Sequence, residues 1–342
     1  MDSVANESDY LTDVFFLGAG ASVSGGVPTF AHFRDKAKKV LYNMLQERES
    51  RGRITLFQNA LNYWNDNFND YNIEEYYSAI EMDEQLNPDY PITTKNIKDF
   101  IGLTIDILRK PINTQFYKSL VEYKVAKAII TTNWDTSLEL SIAELDDTLY
   151  DKSTYINYVA IQSYYETKPK KSIPIAKLHG SLNWGFCSKC GKIYYFYKPM
   201  YDALLSFDNV TCRIHKDIRL IPFIVPPTLS KLEKTKPNVK SPYSQIRSIW
   251  SKTSKYLQSC EKIYFIGYSF PETDAQMKFF ISNALRKNSN LKEIIIVSNQ
   301  KHGYSKVDFE ERYNSILSKA KSNPKLIFNY NGFEKFCTNL TK

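Results

Sequence analysis

A glycine-rich turn directly after a short apolar run is the feature that most limits how this chain can fold. Residues 14–30 read VFFLGAGASVSGGVPTF, so the hydrophobic segment Val14–Leu17 runs into Gly18-Ala19-Gly20. A buried strand that meets small residues lets the backbone approach a ligand closely, and the N–H groups of such a turn can hold a diphosphate. A lone GxG fits a tight strand-to-helix turn equally well. The rest of the sequence is therefore needed to tell whether this turn binds a ligand.

The remaining sequence alternates strand-like and helix-like segments. Short β-branched or aromatic runs bounded by turn residues predict strands at Val14–Leu17, Ala126–Thr131, Ile173–Leu178, Lys262–Ile266, Glu293–Val297 and Leu326–Asn329. Helical periodicity predicts helices at Trp134–Leu145, Asp274–Arg286 and Val307–Ala320. This alternation is typical of an α/β fold with a Rossmann-like, doubly wound parallel sheet.

Two long insertions interrupt the alternation. The first reads as helical, with helices predicted at Lys36–Glu49, Ile54–Phe68, Ile73–Leu86 and Lys95–Arg109. In the second of these helices, a stripe at helical spacing indicates a packed core face, formed by Leu56, Ala60, Tyr63 and Trp64. We therefore expect a Rossmann-like domain (1–35, 123–181 and 223–342), an inserted helical module (36–122) and a small zinc-ribbon module (182–222).

The cysteines of the second insertion are spaced like metal ligands. Cys187 and Cys190 form a C-x-x-C-G-K knuckle, and Cys212 and His215 form a C-x-x-H pair. Two such knuckles suit a tetrahedral Cys3His zinc site, whose four protein ligands leave no position for a substrate, so its role would be structural. A redox C-x-x-C pair is the alternative, although cysteines concentrated in one region fit metal binding in a reducing compartment better than a disulfide framework.

Charge and hydropathy limit the classes of function that we expect for this chain. The chain of 342 residues has a formal net charge of +8, but its lysines and arginines are scattered rather than clustered. A basic charge permits nucleic-acid contact without requiring it, so we do not expect direct nucleic-acid binding. The polar first residues lack the apolar centre of a signal peptide, and no apolar run approaches the roughly 20 residues that span a bilayer. We expect a cytoplasmic protein without membrane contact.

Polar residues directly follow two of the predicted strands, where open α/β sheets bind their ligands. Asn133 and Asp135 follow the strand Ala126–Thr131, and His179 follows the strand Ile173–Leu178. A carboxamide can donate and accept hydrogen bonds at once, and a neutral imidazole can take a proton near neutral pH. An Asn-x-Asp sequence also fits a helix N-cap or an Asx-turn, and a lone histidine at a strand end can be structural.

Four short motifs in matching order resemble the sirtuin family of NAD⁺-consuming enzymes. They are GAGAS…GVPTF in residues 18–30, TTNWD in residues 131–135, LHGS in residues 178–181 and GYSF in residues 267–270. Sirtuins also carry a helical and a zinc insertion in a Rossmann-like domain, and they end a late strand near an asparagine, here Asn299. The resemblance extends from Val14 to about Asn299.

The resemblance implies NAD⁺ as the substrate, a structural Zn²⁺ and a set of site residues. Asn133 and His179 match catalytic positions, and Asp135 matches a third whose role we expect to be more architectural than chemical. The expected zinc ligands are Cys187, Cys190, Cys212 and His215, with histidine in place of the usual fourth cysteine. The expected contacts of NAD⁺ are Gly18, Ala19, Gly20, Ser22, Pro28, Thr29, Phe30, Thr132, Gly267, Tyr268, Ser269 and Asn299. Asp274 fits a helix cap and a site role equally well.

Departures from the family pattern bear on the activity. Sirtuin deacylases bind an acyl-lysine peptide as an added strand, beside a segment whose counterpart here is PFIVPPT in residues 222–228. Its three prolines remove N–H donors and are expected to disfavour strand pairing. Residues 29–31, Thr-Phe-Ala, also replace the usual Asp-Phe-Arg. The VPPT and GYSF segments resemble bacterial sirtuin-like proteins of anti-phage defence, which destroy NAD⁺.

From this resemblance we expect an NAD⁺ glycohydrolase that releases nicotinamide and ADP-ribose and depletes NAD⁺ during abortive infection. Because constant activity would poison the host, we expect restraint by a homo-oligomer or by a partner subunit such as a HerA-type ATPase. An NAD-dependent protein deacylase and a non-catalytic subunit that binds NAD⁺ or ADP-ribose remain the alternatives. An exposed edge strand near Ile224 would favour the deacylase.

Overall fold

The structure, a computed structural model, describes most of the chain. The described residues are 11–47, 49–86, 102–104, 106–108, 114–123, 125–144, 156–164, 173–196, 210–225, 243–271, 274–299 and 305–340. Its strands are β1 Asp13–Leu17, β2 Ala126–Thr131, β3 Asn157–Tyr158, β4 Gln162–Ser163, β5 Pro174–Lys177, β6 Gly180–Phe186, β7 Ile193–Tyr195, β8 Ile221–Ile224, β9 Lys262–Ile266, β10 Glu293–Val297 and β11 Lys325–Asn329.

Seven of these strands form a sheet in the order β11-β10-β9-β1-β2-β5-β3. Every pairing in it is parallel, and Leu17 at the end of β1 lies between Thr131 of β2 and Ile266 of β9. The predicted Rossmann-like α/β fold is thus confirmed. Parallel strands are buried on both faces and therefore read as continuous apolar runs. For that reason the predicted bounds of β2, β9 and β10 are the observed ones.

Helices flank this sheet and form the first insertion. They are α1 Phe33–Gln46, α2 Arg51–Asn67, α3 Ile73–Leu86, α4 Gln115–Val121, α5 Ser137–Glu144, α6 Tyr243–Ser259, α7 Ala275–Leu285, α8 Lys306–Leu317 and α9 Gly332–Leu340. The predicted helix Lys95–Arg109 lies largely outside the described residues, of which 102–104 and 106–108 are helical. Within the described part of the chain, no helix combines the length and the apolar character needed to cross a membrane.

A second sheet has the order β4-β7-β6-β8 and begins where the chain leaves the first sheet. Gly180 makes this departure possible, because its φ of +78° is a left-handed conformation and a Cβ there would lie 2.7 Å from the carbonyl oxygen of Phe223. The sheet takes β4 from outside the segment 182–222 that we expected to form the zinc module. The cysteine-rich segment is therefore built into a sheet that directly continues the first one.

The strand β8 corrects one expectation. It pairs antiparallel with β6 although Pro222 lies inside it, so the expectation that the prolines disfavour strand pairing is wrong for Ile221–Ile224. Proline is tolerated because β8 is at the edge of its sheet and the register of the pair is irregular there. Pro226 and Pro227 lie outside the described residues.

Two hydrophobic clusters form the core. The first surrounds the seven-stranded sheet and includes Tyr117 of α4, which the sequence assigned to the helical insertion. The second joins Phe57 and Trp64 of the insertion to Cys187, just after β6, and to other residues of the second sheet, so these two parts share one core. In α2 the buried face is Phe57, Ala60, Leu61 and Trp64. The predicted stripe is wrong at Leu56, which is 56% exposed, because the buried face lies one residue further along the helix.

Candidate active site

A cavity of about 550 Å³ lies at the carboxyl ends of the strands of the seven-stranded sheet. This is the edge at which open α/β sheets bind ligands, and the volume is within the usual range of ligand pockets. Its walls come from the segments after β1, β2, β5, β9 and β10 and from the start of α9. It brings together twelve of the predicted site residues: Ala19, Gly20, Pro28, Thr29, Thr132, Asn133, Asp135, His179, Gly267, Tyr268, Ser269 and Asn299.

Three of the predicted cofactor contacts are not among the residues that line the cavity. Gly18 is buried, and its carbonyl oxygen accepts a hydrogen bond from the side chain of Asn133. Ser22 is fully buried and forms hydrogen bonds to Asp135 and Asn133, two residues that line the cavity. The side chain of Phe30 lies outside the described part of the structure. Gly18 and Ser22 therefore support the residues of the wall.

The glycine-rich turn after β1 and the end of β9 hold each other in close contact. The Gly20 N–H donates to the carbonyl oxygen of Gly267 at 2.8 Å, and the Gly18 N–H donates to that of Ile266 at 2.9 Å. Gly267 has a φ of +61°, and a Cβ there would lie 2.2 Å from the Ala21 nitrogen. We expected the N–H groups of the turn to hold a diphosphate, but that of Gly20 is used within the protein. Glycine serves here for close backbone packing.

Replacing Gly267 by alanine is expected to destabilise the protein by about 2 to 4 kcal/mol. The added Cβ would meet the backbone of Gly20 and Ala21 at 2.2 to 2.7 Å, in a conformation that strains any residue with a side chain. The free energy of unfolding, measured with urea, tests this. Gly52→Ala is the matched control, because a Cβ there meets nothing within 4 Å and alanine favours the helix α2. Equal stability of Gly267→Ala and the natural protein would contradict the expected clash.

Asn133 is held in place by its own N–H groups. Its Nδ2 donates to the Gly18 carbonyl oxygen at 2.9 Å and to Ser22 Oγ at 3.0 Å. Its backbone N–H donates to Thr131 Oγ1 at 3.0 Å. Both donors of the carboxamide are thus used by the protein, and Oδ1 is the atom that can accept a hydrogen bond from a ligand. In this arrangement Oδ1 is the side-chain atom of Asn133 that is available to a ligand.

Ser22 connects Asn133 to a buried tyrosine and a buried carboxylate. Its Oγ donates to Asp135 Oδ2 at 2.8 Å and lies 2.8 Å from the hydroxyl of Tyr117. Because the single serine proton is directed to Asp135, Tyr117 is the donor to Ser22. Burial, helped by the charge of Asp135, raises the pKa of Tyr117 well above its ordinary value, so Tyr117 keeps its proton. No sequence motif marks Tyr117, and only the packing of α4 reveals it.

Asp135 uses both carboxylate oxygens within the protein. Oδ2 accepts the bond from Ser22, and Oδ1 accepts the backbone N–H of Ser137 at 3.0 Å. The second bond is an Asx-turn that leads into α5, and it places the start of this helix at Ser137 rather than at the predicted Trp134. The side chain is 6% exposed. These bonds are those of an Asx-turn, which the sequence left open as a structural alternative to a role in the chemistry.

A buried lysine at the end of β5 supports the loop that carries Asn133 and Asp135. Lys177 is the last residue of β5, and its Nζ donates to the carbonyl oxygen of Asp135 and pairs with Glu139 Oε1 at 3.0 Å. The hydroxyl of Tyr158 also donates to Glu139. A buried charge is tolerated only when it is paired and hydrogen-bonded. The ion pair therefore fixes the backbone of the loop that carries Asn133.

His179 lines the cavity directly after β5 and is 3% exposed. Its ring faces that of Trp250 in α6, with centroids 6.4 Å apart. Its carbonyl oxygen accepts the Val225 N–H at 2.7 Å, and Trp250 Nε1 donates to the carbonyl oxygen of Leu178 at 3.0 Å. Contacts from α6 and from the end of β8 thus hold the imidazole at the cavity. A neutral imidazole held in this way can act as a general base.

The four predicted zinc ligands come together at the second sheet. The donor atoms of Cys187, Cys190, Cys212 and His215 all lie within 4.8 Å of one another. Three of the separations are 3.8 Å, between Cys187 Sγ and His215 Nδ1, between Cys190 and Cys212 Sγ, and between Cys212 Sγ and His215 Nδ1. Ligands about 2.3 Å from a tetrahedral zinc ion lie about 3.8 Å apart. The identity and the spacing of these donors therefore fit Zn²⁺.

The chemistry of the cysteines also suits a metal. All five cysteines of the chain are free thiols, so Cys187 and Cys190 do not form a disulfide. Burial raises the pKa of Cys187 to about 11. Burial also opposes ionisation of Cys212, but hydrogen bonds from the backbone N–H groups of His215 and Ile214 and from the side chains of His215 and Cys187 together lower the pKa of Cys212 to about 6. Cys212 is thus a thiolate near neutral pH, which is the form that binds zinc.

Asp274, for which the sequence left a helix cap and a site role open, lines the cavity. It accepts the hydroxyl of Tyr268 at 2.8 Å, and its side chain makes no capping bond to α7. The cavity also contains residues that no motif predicted. The start of α9 reaches the cavity because the Gly332 N–H donates to the carbonyl oxygen of Ser298 at 3.0 Å. The other residues missed are Val23, Ser24, Val27, Ala31, Phe33, Leu108, Trp134, Pro271, Val297, Ser298, Phe309, Asn331, Gly332, Phe333 and Glu334.

Comparison with known proteins finds one family match. Residues 127–322 match a family model described as the SIR2-like domain. The matched segment is more than half of the chain and includes Asn133, His179, the Cys3His cluster and the loop after β9, whereas the glycine-rich turn after β1 precedes it. A search of curated proteins finds no match.

Proposed function

Because the chain belongs to the SIR2-like family and so has a sirtuin-like, NAD-related function, we propose that it is an NAD⁺ glycohydrolase. The observation that carries this proposal is that Asn133 and His179 line one cavity of about 550 Å³, together with the two glycine segments that follow β1 and β9. Such a cavity can receive a dinucleotide with its diphosphate near the glycines and one ribose near Asn133 and His179.

The reaction breaks the bond between C1′ of one ribose and the nitrogen of nicotinamide. Nicotinamide leaves with the electron pair, positive charge develops on the ribose, and the oxygen of a water molecule bonds to C1′. Asn133 Oδ1 accepts a hydrogen bond from that water or from a ribose hydroxyl and orients it. His179 takes the proton that the water loses. NAD⁺ and water thus give nicotinamide, ADP-ribose and one proton.

A protein deacylase is the second candidate, and the edge strand β8 favours it. An acyl-lysine peptide could pair with an edge strand only where backbone groups are available. At the end of β8, however, the Val225 N–H donates to His179, and the Val225 carbonyl oxygen accepts Trp134 Nε1 at 3.3 Å. Phe223 and Ile224 are buried as well. These contacts are our reason for proposing the hydrolase first.

Incubation of the purified chain with NAD⁺ tests the two candidates. We expect nicotinamide and ADP-ribose in equal amounts without any peptide, as measured by liquid chromatography. A deacylase would instead release nicotinamide only when an acyl-lysine peptide is added, and it would transfer the acyl group to ADP-ribose. Product that depends on the peptide would contradict the hydrolase. Binding of NAD⁺ without turnover under both conditions would indicate a non-catalytic subunit.

The proposed biological role is depletion of NAD⁺ in an infected bacterial cell. A hydrolase that acts constantly would harm its own host, so its activity would be restrained by an oligomer or by a partner subunit such as a HerA-type ATPase. This part of the proposal rests on the resemblance to proteins of anti-phage defence. The same assay, repeated with the products of neighbouring genes, tests it. Full activity of the chain alone would contradict restraint by a partner.

A further inference from the structure

We infer that the cavity selects NAD⁺ over NADP⁺ and that Glu334 is the residue responsible for this selectivity. The inference rests on the proposed function, because it concerns the dinucleotide that the same cavity would bind. NADP⁺ differs from NAD⁺ by one phosphate on the 2′-oxygen of the adenosine ribose. Discrimination between the two dinucleotides therefore depends on the position of that ribose in the cavity and on the charges around it.

The strand order determines which end of a dinucleotide meets Glu334. The strands β1 and β9, which lead into the two glycine segments, lie between β2 and β10. Asn133 follows β2, and Asn299 follows β10, so these two residues lie on opposite sides of the glycines. A dinucleotide with its cleaved ribose at Asn133 and its diphosphate at the glycines places its adenosine at the β10 end. Glu334 reaches the cavity at that end, because α9 begins beside Ser298.

The described part of the cavity wall carries acidic side chains. The acidic side chains are those of Asp135, Asp274 and Glu334, and the described residues that line the cavity include no lysine or arginine. Asp135 and Asp274 are buried and accept hydrogen bonds from Ser22 and Tyr268. Glu334, in contrast, is exposed at the wall and so is accessible to a ligand.

An accessible carboxylate interacts differently with NAD⁺ and with NADP⁺. A free 2′-hydroxyl can donate a hydrogen bond to Glu334, as ribose hydroxyls do to acidic residues in other NAD⁺ sites. A 2′-phosphate brings between one and two negative charges to the same place and has no proton to donate at neutral pH. Sites that accept this phosphate provide an arginine for it. Glu334 therefore stabilises bound NAD⁺ and repels NADP⁺.

Binding of two product analogues tests this without relying on turnover. ADP-ribose and its adenosine 2′-phosphate derivative keep the discriminating ribose and lack the bond that a hydrolase would cleave. Titration calorimetry should show that the natural protein binds ADP-ribose at least about tenfold more tightly than the 2′-phosphate. Glu334→Gln should reduce this ratio about tenfold, and Glu334→Arg should reduce it further by adding a cation.

Glu122→Gln is the matched control, because Glu122 is exposed just after α4 and is not among the residues that line the cavity. It removes the same charge from the protein and should leave the ratio unchanged. Equal affinity of the natural protein for both compounds, or an unchanged ratio in both Glu334 variants, would overturn the inference. A natural protein that binds neither compound nor NAD⁺ would contradict the proposed function itself. A folded Glu334→Arg variant keeps the test valid if Glu334→Gln is unstable.

Discussion

Replacing Asn133 or His179 by alanine is expected to slow the cleavage of NAD⁺ by at least about 100-fold. Asn133→Ala removes the Oδ1 acceptor that orients the attacking water or the ribose, and His179→Ala removes the group that takes the proton. The measurement is the rate of nicotinamide release at saturating NAD⁺, together with the affinity for ADP-ribose. A role in the chemistry predicts a large fall in kcat with a much smaller change in the binding of ADP-ribose.

The Asn133 variant needs a structural control, because this side chain also bonds to Gly18 and Ser22. Asn283→Ala removes an exposed asparagine in α7 and should leave both activity and stability near those of the natural protein. An Asn133→Ala protein that is folded and binds ADP-ribose but is inactive supports the assigned role. Cleavage that persists in both cavity variants would show that other groups carry the reaction and would contradict the proposed mechanism.

Zinc is expected to have the largest effect on stability. The purified chain should carry one zinc ion per molecule, and Cys212→Ser should lose it and become less stable by on the order of 5 kcal/mol. The reason lies in the shared core: Cys187, Cys212 and Tyr194 pack in the same hydrophobic cluster as Phe57 and Trp64 of the helical insertion. Release of the metal should therefore loosen the insertion together with the second sheet.

Elemental analysis and thermal unfolding, each with and without a strong chelator, test the zinc prediction. Cys260→Ser is the matched control, because Cys260 is also buried but bonds to Asn288 and lies apart from the four ligands. It should keep the zinc ion, as should the natural protein. A natural protein without zinc, or a Cys212→Ser variant of unchanged zinc content and melting temperature, would contradict a structural metal at this cluster.

Buried segments were the part of the fold that could be predicted best. The bounds of β2, β9 and β10 were correct to the residue, because strands buried on both faces must be apolar throughout. Helices were less well defined, because only one face of each is buried. In α2 this led to Leu56 in place of Phe57 as a core residue. The helices α4, α6 and α9 carry no glycine-rich or cysteine motif and were not predicted.

Site residues that belong to short motifs were predictable, whereas their bonds were not. Asn133 was correctly expected at the end of a strand, but its two N–H groups are used by Gly18 and Ser22, which are more than 100 positions away in the chain. The same holds for Asp135, whose partner Ser22 lies in the turn after β1. Hydrogen-bonded residues that are this far apart in the chain produce no local sequence pattern. They become neighbours only through the parallel pairing of β1 with β2.

The sequence by itself determined the parallel α/β sheet, the membership of the SIR2-like family and the set of four candidate metal ligands, because each depends on local composition or on short spacings. The tertiary structure alone decided that Tyr117 supports Ser22, that Lys177 holds the loop of Asn133, and that Glu334 reaches the cavity. No motif gives these roles, although Lys177 directly precedes LHGS. Each role arises from contacts between elements that are distant in the chain, and such contacts exist only once the sheet has formed.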